Sequence, residues 1–224
     1  MASQPSDAFP PSARSWLAVA RDGTPEQRHE LAASLTAVYR DPLVRYLQAF
    51  GVRIDVEDVV HDLCARILDP SFLDGWQRSE RPFRMWLRTA ARFELMNRLR
   101  AVRRAAAEGD DAVHELVEPD NAQLAFERAY AASLIRSAAE AVQRSLDAQG
   151  NGREWLLFMA HAVHGKPYAE CAPPLGIPVE SARHASARVR GLLLDALRGI
   201  LSAERVAESD FERELVGLLE RLQP

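Results

Sequence analysis

Cysteine is nearly missing from this chain. Cys64 and Cys171 are the only two among 224 residues, and they stand far apart. That excludes a disulfide framework. His61-x-x-Cys64 offers two possible metal ligands, but no second pair accompanies it, so Cys64 reads as a small core residue and neither metal nor cofactor is expected. Lysine is scarcer still: Lys166 is the only one, and nearly all positive charge is arginine. No run of eighteen apolar residues occurs, which predicts no membrane span. The N-terminus, MASQPSDAFPPSARSW, lacks a basic start followed by an apolar stretch and does not read as a secretory signal. Residues 1–25 are expected to form a disordered or loosely attached tail, and the compartment is expected to be reducing and cytoplasmic. No glycine-rich phosphate loop, HExxH, calcium loop or nucleophile triad spacing is present, so the chain is not expected to be an enzyme. No useful period-two alternation is present either, which argues against sheets.

What is abundant is helical periodicity. Leu31, Leu35, Val38 and Tyr39 share one helix face, and Asp41-Pro42 is expected to interrupt it. Leu43, Leu47 and Phe50 continue to a stop at Gly51. In DVEDVVHDLCARILD, Asp55 is a good N-cap, and Val56, Val59, Val60, Leu63 and Ile67 make an apolar face. Glu57, Asp58, His61 and Asp62 fall mostly on the opposite side. Asp69-Pro70 is expected to end this helix, and residues 70–82 to form a loop carrying Phe72 and Trp76.

The net charge of −4 is spread unevenly. Residues 83–104, FRMWLRTAARFELMNRLRAVRR, hold seven arginines and a single acid, Glu94. Phe83, Trp86, Leu87 and Ala90 share a face there, with Arg84, Arg88 and Arg92 striped beside it. Residues 105–150 carry only 3 basic residues against 9 acidic ones, and segment 105–122, with Gly109 and Pro119, reads as a linker. Helical periodicity resumes at Leu124, and QGNG at 149–152 marks a turn. The segment from Tyr168 to Leu197 has the outline of a helix-turn-helix, with its turn at Gly176. Ala182, Ala185, Val189, Leu192 and Leu193 should point inward. Glu180, Ser181, Arg183, His184, Arg188 and Arg190 are left to face outward. An interior proline costs about 3 kcal/mol or more. The first of the two helices should therefore end near Ala172, or restart with Pro173 in a first turn. A last amphipathic helix carries Phe211, Leu215, Leu218, Leu219 and Leu222.

The succession of DVEDVVHDLCARIL, the arginine-rich stretch, an acidic linker and a helix-turn-helix resembles the extracytoplasmic-function (ECF) sigma factors of bacterial RNA polymerase, over roughly residues 27–200. The resemblance implies an all-α chain of two helical domains joined by an acidic linker, plus an extra C-terminal helix. Sigma region two would span 26–104 and bind core polymerase and the −10 element. A linker would occupy 105–122, and region four, with its helix-turn-helix for the −35 element, 123–200. Segment 201–224 would be a C-terminal extension. Phe93, and the paired prolines Pro173 and Pro174, depart from the usual family pattern.

By that resemblance Glu57, Asp58, His61 and Asp62 would meet core polymerase. Trp76, Arg84, Arg88, Arg92, Asn97, Arg100, Arg103 and Arg104 would meet −10 DNA. Glu180, Ser181, Arg183, His184, Arg188 and Arg190 would meet the −35 element. Arginine suits phosphate because its planar fork matches two oxygens, and each phosphate neutralised adds about 0.9 to the log–log salt slope. Stacking a base on an aromatic ring such as Trp76 contributes about 1–3 kcal/mol. Expected partners are bacterial core polymerase, promoter DNA, and an anti-sigma factor or other regulator. Two other functions fit the same residues: a stand-alone helix-turn-helix regulator, and a sigma-like interaction protein without promoter activity.

Overall fold

The computed structural model describes residues 13–105 and 118–222. Among them the chain is all-α, with ten α-helices, three short 3-10 or π segments and no strand. The helices are α1 (Ala13–Asp22), α2 (Pro25–Gln48), α3 (Val56–Ala65), α4 (Pro70–Ser79), α5 (Phe83–Ala105), α6 (Asp120–Ala148), α7 (Gly152–Phe158), α8 (Tyr168–Cys171), α9 (Val179–Ala203) and α10 (Phe211–Arg221). No helix among the described residues is long and apolar enough to cross a membrane.

Side-chain caps set the starts of three helices, α2, α3 and α4. Thr24 accepts from the Gln27 N–H while the Gln27 side chain accepts from the Thr24 N–H, a capping box that opens α2 at Pro25. Asp55 accepts from the N–H groups of Glu57 and Asp58 and opens α3. Asp69 does the same for Ser71 and Phe72. Those hydrogen bonds hold its carboxyl below the usual carboxylate range, the one with the Ser71 hydroxyl foremost.

Three expectations need correction. Residues 70–82 are not a loop: Asp69 caps a helix and Pro70 occupies its first turn, where the missing N–H costs nothing and the fixed φ fits. The same dipeptide that ends one helix thus begins the next. Asp41-Pro42 does not interrupt α2, which runs unbroken through Gln48 with Pro42 buried inside it. Leu43, Tyr46 and Leu47 extend the buried face begun by Leu31, Leu35 and Tyr39, so tertiary packing outweighs the lost backbone bond. The expected loose tail is partly ordered. Residues 1–12 lie outside the described residues, but α1 follows, and Trp16 is buried against Trp76 and Phe83 at ring-centroid distances of 6.1 and 5.5 Å.

One continuous apolar core joins α1 through α6 with the end of α9 and with α10. Its broadest contact is between α2 and α6. Tyr39 and Tyr46 of α2 meet Tyr130 and Phe126 of α6 there, at 6.0 and 6.1 Å. Two smaller cores lie among α6, α7, α8 and the first half of α9. The 25-residue α9 therefore belongs to both regions, and the boundary expected after residue 200 falls inside it. Most of the linker expected over 105–122, residues 106–117, lies outside the described residues.

Candidate nucleic-acid and partner interfaces

The α3 face is exposed, as its periodicity predicts: Glu57, Asp58, His61 and Asp62 all point to solvent. Its charge is partly matched from inside the molecule. Glu57 pairs with Arg40 of α2 at 2.6 Å and Asp62 with Arg98 of α5 at 2.7 Å. Exposed pairs of this kind are worth about 0–1 kcal/mol and leave the carboxylates available to another partner. Asp58 has no ion-pair partner among the described residues.

The α5 arginines divide into two groups. Asn97, Arg100 and Arg104 are exposed, and Arg103 is half-buried. Phe93 stands on this outward side, 62% exposed. Arg84, Arg88 and Arg92 instead turn toward the C-terminal half. Arg84 is only 7% exposed, which corrects its expected place on an open DNA-facing stripe. Arg88 lies 3.8 Å from Glu127 of α6, and its guanidinium sits 5.9 Å from the ring centroids of both Tyr46 and Phe126. Arg92 approaches Glu118 at 3.9 Å.

Around Arg84 the side chains of four helices converge with that of the residue after α9. Its Nη1 donates to Glu204 Oε2 at 2.9 Å and its Nη2 to Glu214 Oε1 at 2.7 Å. Glu204 is fully buried just past α9, and its other oxygen accepts from the hydroxyls of Tyr39 and Tyr130. The Arg84 guanidinium also sits 5.4 Å from the Tyr130 ring centroid. The main chain joins in, since the Phe83 N–H donates to the Glu204 carbonyl at 3.4 Å. Burial pushes both tyrosine hydroxyls well above their ordinary pKa, and the Glu204 charge pushes them further. Burial alone would lower the Arg84 pKa, but Glu204, Tyr130 and Glu214 outweigh it and hold the guanidinium charged. A buried carboxylate is tolerated only when its lone pairs are satisfied, and three donors do that here.

Trp76 is buried as well, correcting its expected role as an exposed stacking surface. It packs on Phe83 at 4.9 Å, donates from Nε1 to the Arg81 carbonyl at 3.0 Å, and lies under the Arg205 guanidinium at 4.4 Å. Because α4 is a helix, Trp76 falls on its inner face with Leu73.

The helix-turn-helix outline is present. Helix α8 ends at Cys171, Pro173–Leu175 forms one 3-10 turn, and Gly176 adopts φ +66, a left-handed conformation that glycine reaches at little cost. The restart at Pro173 matches one of the two outcomes expected for the paired prolines. Ala182 and Val189 are buried while Glu180, Ser181, Arg183, His184, Arg188 and Arg190 are exposed. Of these, Arg188 is paired with Glu154 of α7, its Nε donating at 2.8 Å.

Sequence reasoning overlooked Glu204 entirely. It sits among the polar residues SAERVAESD, where nothing signals burial, and only the separation between Ala203 and Phe211 hints at a change of direction. No group of three or more His, Cys, Asp or Glu suited to a metal occurs among the described residues. Comparison with family models, curated proteins and solved structures gave no match to this chain.

Proposed function

We propose that this chain is a sigma factor that directs bacterial RNA polymerase to promoters and helps open their strands. The observation that carries the proposal is the exposed outer face of α9, with Glu180, Ser181, Arg183, His184 and Arg190 set on a helix-turn-helix frame. Such a face offers arginine forks for phosphate or guanine edges and a carboxylate for a cytosine amino group. Two further features support it. The acidic α3 face is exposed and suits a basic protein partner, where charge sets encounter rate and orientation. The outward α5 arginines add a second basic surface on the same chain. The polymerase would supply the chemistry, and this chain would supply recognition.

The inward-turned Arg84, Arg88 and Arg92 favour a second function, a stand-alone duplex reader that uses only the α7–α9 region. Promoter-dependent transcription with purified core polymerase separates the two, because a stand-alone reader binds DNA without core and does not start transcripts.

A further inference from the structure

We propose that Glu204 and Glu214 form a carboxylate clasp that holds the α5 arginine row against the C-terminal half, so that the isolated chain rests in a closed form in which this row is withheld from DNA. The inference rests on the sigma-factor proposal for the ligand that the row would otherwise meet. Its structural basis stands apart from that proposal.

Every member of the row faces a carboxylate drawn from the end of the linker or beyond it. Arg84 faces Glu204 and Glu214, Arg88 faces Glu127, and Arg92 faces Glu118. Arg221 of α10 approaches the same Glu127 at 3.7 Å, which ties α10 to α6 beside Arg88. Carboxylate pairs present to a guanidinium the same forked oxygens that a phosphate presents. A row paired in this way with carboxylates is turned away from a nucleic-acid backbone until the clasp opens.

Closure is also coupled to the DNA-reading helix. Glu204 directly follows α9, whose first half carries Arg183, His184 and Arg190, so one rigid element links the outer reading face to the clasp. At 1.5 Å per residue it spans about 37 Å. A pull on its far end, from DNA or a partner, is delivered to Glu204. The clasp is built from the ends of elements, where small motions suffice: the start of α5, the first residue after α9, and the first turn of α10. If only a fraction of molecules is open, the apparent dissociation constant for DNA is the intrinsic one divided by that fraction. Weakening the clasp therefore tightens DNA binding without touching a DNA contact.

Conservative variants test this without hollowing the core. Glu214→Gln removes one charge from a partly exposed side chain. Tyr39→Phe with Tyr130→Phe removes both hydroxyl donors to Glu204 and keeps both rings. Each is compared with wild type by fluorescence anisotropy on a labelled forked DNA, by X-ray scattering, and by run-off transcription with core polymerase. The clasp predicts at least a threefold tighter affinity of the isolated chain for the fork in both variants, with a larger radius of gyration. A steeper salt slope should accompany it, by about 0.9 for each arginine released. Unchanged dimensions, or unchanged or weaker DNA affinity with transcription intact, would overturn the clasp and leave the sigma-factor proposal standing. Expansion without gain in DNA affinity, and without transcripts from any variant, would support the closure and overturn the sigma-factor proposal.

Discussion

A guanidinium buried with two carboxylates has consequences at the level of one side chain. Arg84 is the buried cation paired with Glu204, and its removal leaves Glu204 buried with only hydroxyl donors. Breaking one side of a buried pair typically costs about 3–5 kcal/mol. Arg84→Ala should therefore lower the melting temperature by roughly 6–20 °C for a chain of this size, measured by calorimetry; a shift below two degrees would mean the pair contributes almost nothing. Three buried tyrosines add a dependence on alkali. Burial raises Tyr46 to about 12, with the Glu118 charge adding to it, and burial also raises Tyr39 and Tyr130. A folded-state pKa above the unfolded value near 10 means the native state holds its proton more tightly. The resulting stability is complete below pH 10 and is lost as pH rises through the folded values. Denaturant midpoints should fall between pH 10 and about 12, with a slope of about 1.4 kcal/mol per pH unit for each tyrosine. Tyr46→Phe should flatten that slope, and an identical slope in the variant would contradict the assignment.

At the scale of single elements, local signals and tertiary packing compete. The caps at Asp55 and the apolar spacing of Val56, Val59, Val60 and Leu63 were readable because both arise within a few residues. The turn at Gly176 was readable for the same reason, a positive φ that favours glycine. Pro42 was misleading because its penalty is local while its compensation, the α2–α6 contact, is far away in sequence. Pro70 was misleading because a proline after aspartate signals a helix stop and a helix start equally well. Pro42→Ala restores a donor toward the Val38 carbonyl and gives up a few packed carbons. It is expected to raise the melting temperature by roughly 2–6 °C, the equivalent of about 1–2 kcal/mol. A lower melting temperature would show instead that the proline ring fills a space alanine cannot.

For the molecule as a whole, charge patterning was legible and charge placement was not. The sequence signals seven arginines in one stretch, but not that Arg84, Arg88 and Arg92 turn toward Glu204, Glu214, Glu127 and Glu118, which lie 26 to 130 residues away. Trp76 illustrates the same gap, since an aromatic in a supposed loop became a core residue once its segment was helical. The outer face of α9 fared better: all six residues expected to point outward are exposed, because helical period alone decides them. The proposed closed arrangement would suit an acidic chain that acts when a larger partner opens it. Run-off transcription by purified bacterial core polymerase, with and without this protein on a library of promoter fragments, probes that most directly. Transcripts that start at defined sites only when the protein is added, and that are reduced by Asp58→Arg with Asp62→Arg, are the predicted result. Core polymerase that neither binds the protein nor gains a start site would contradict it.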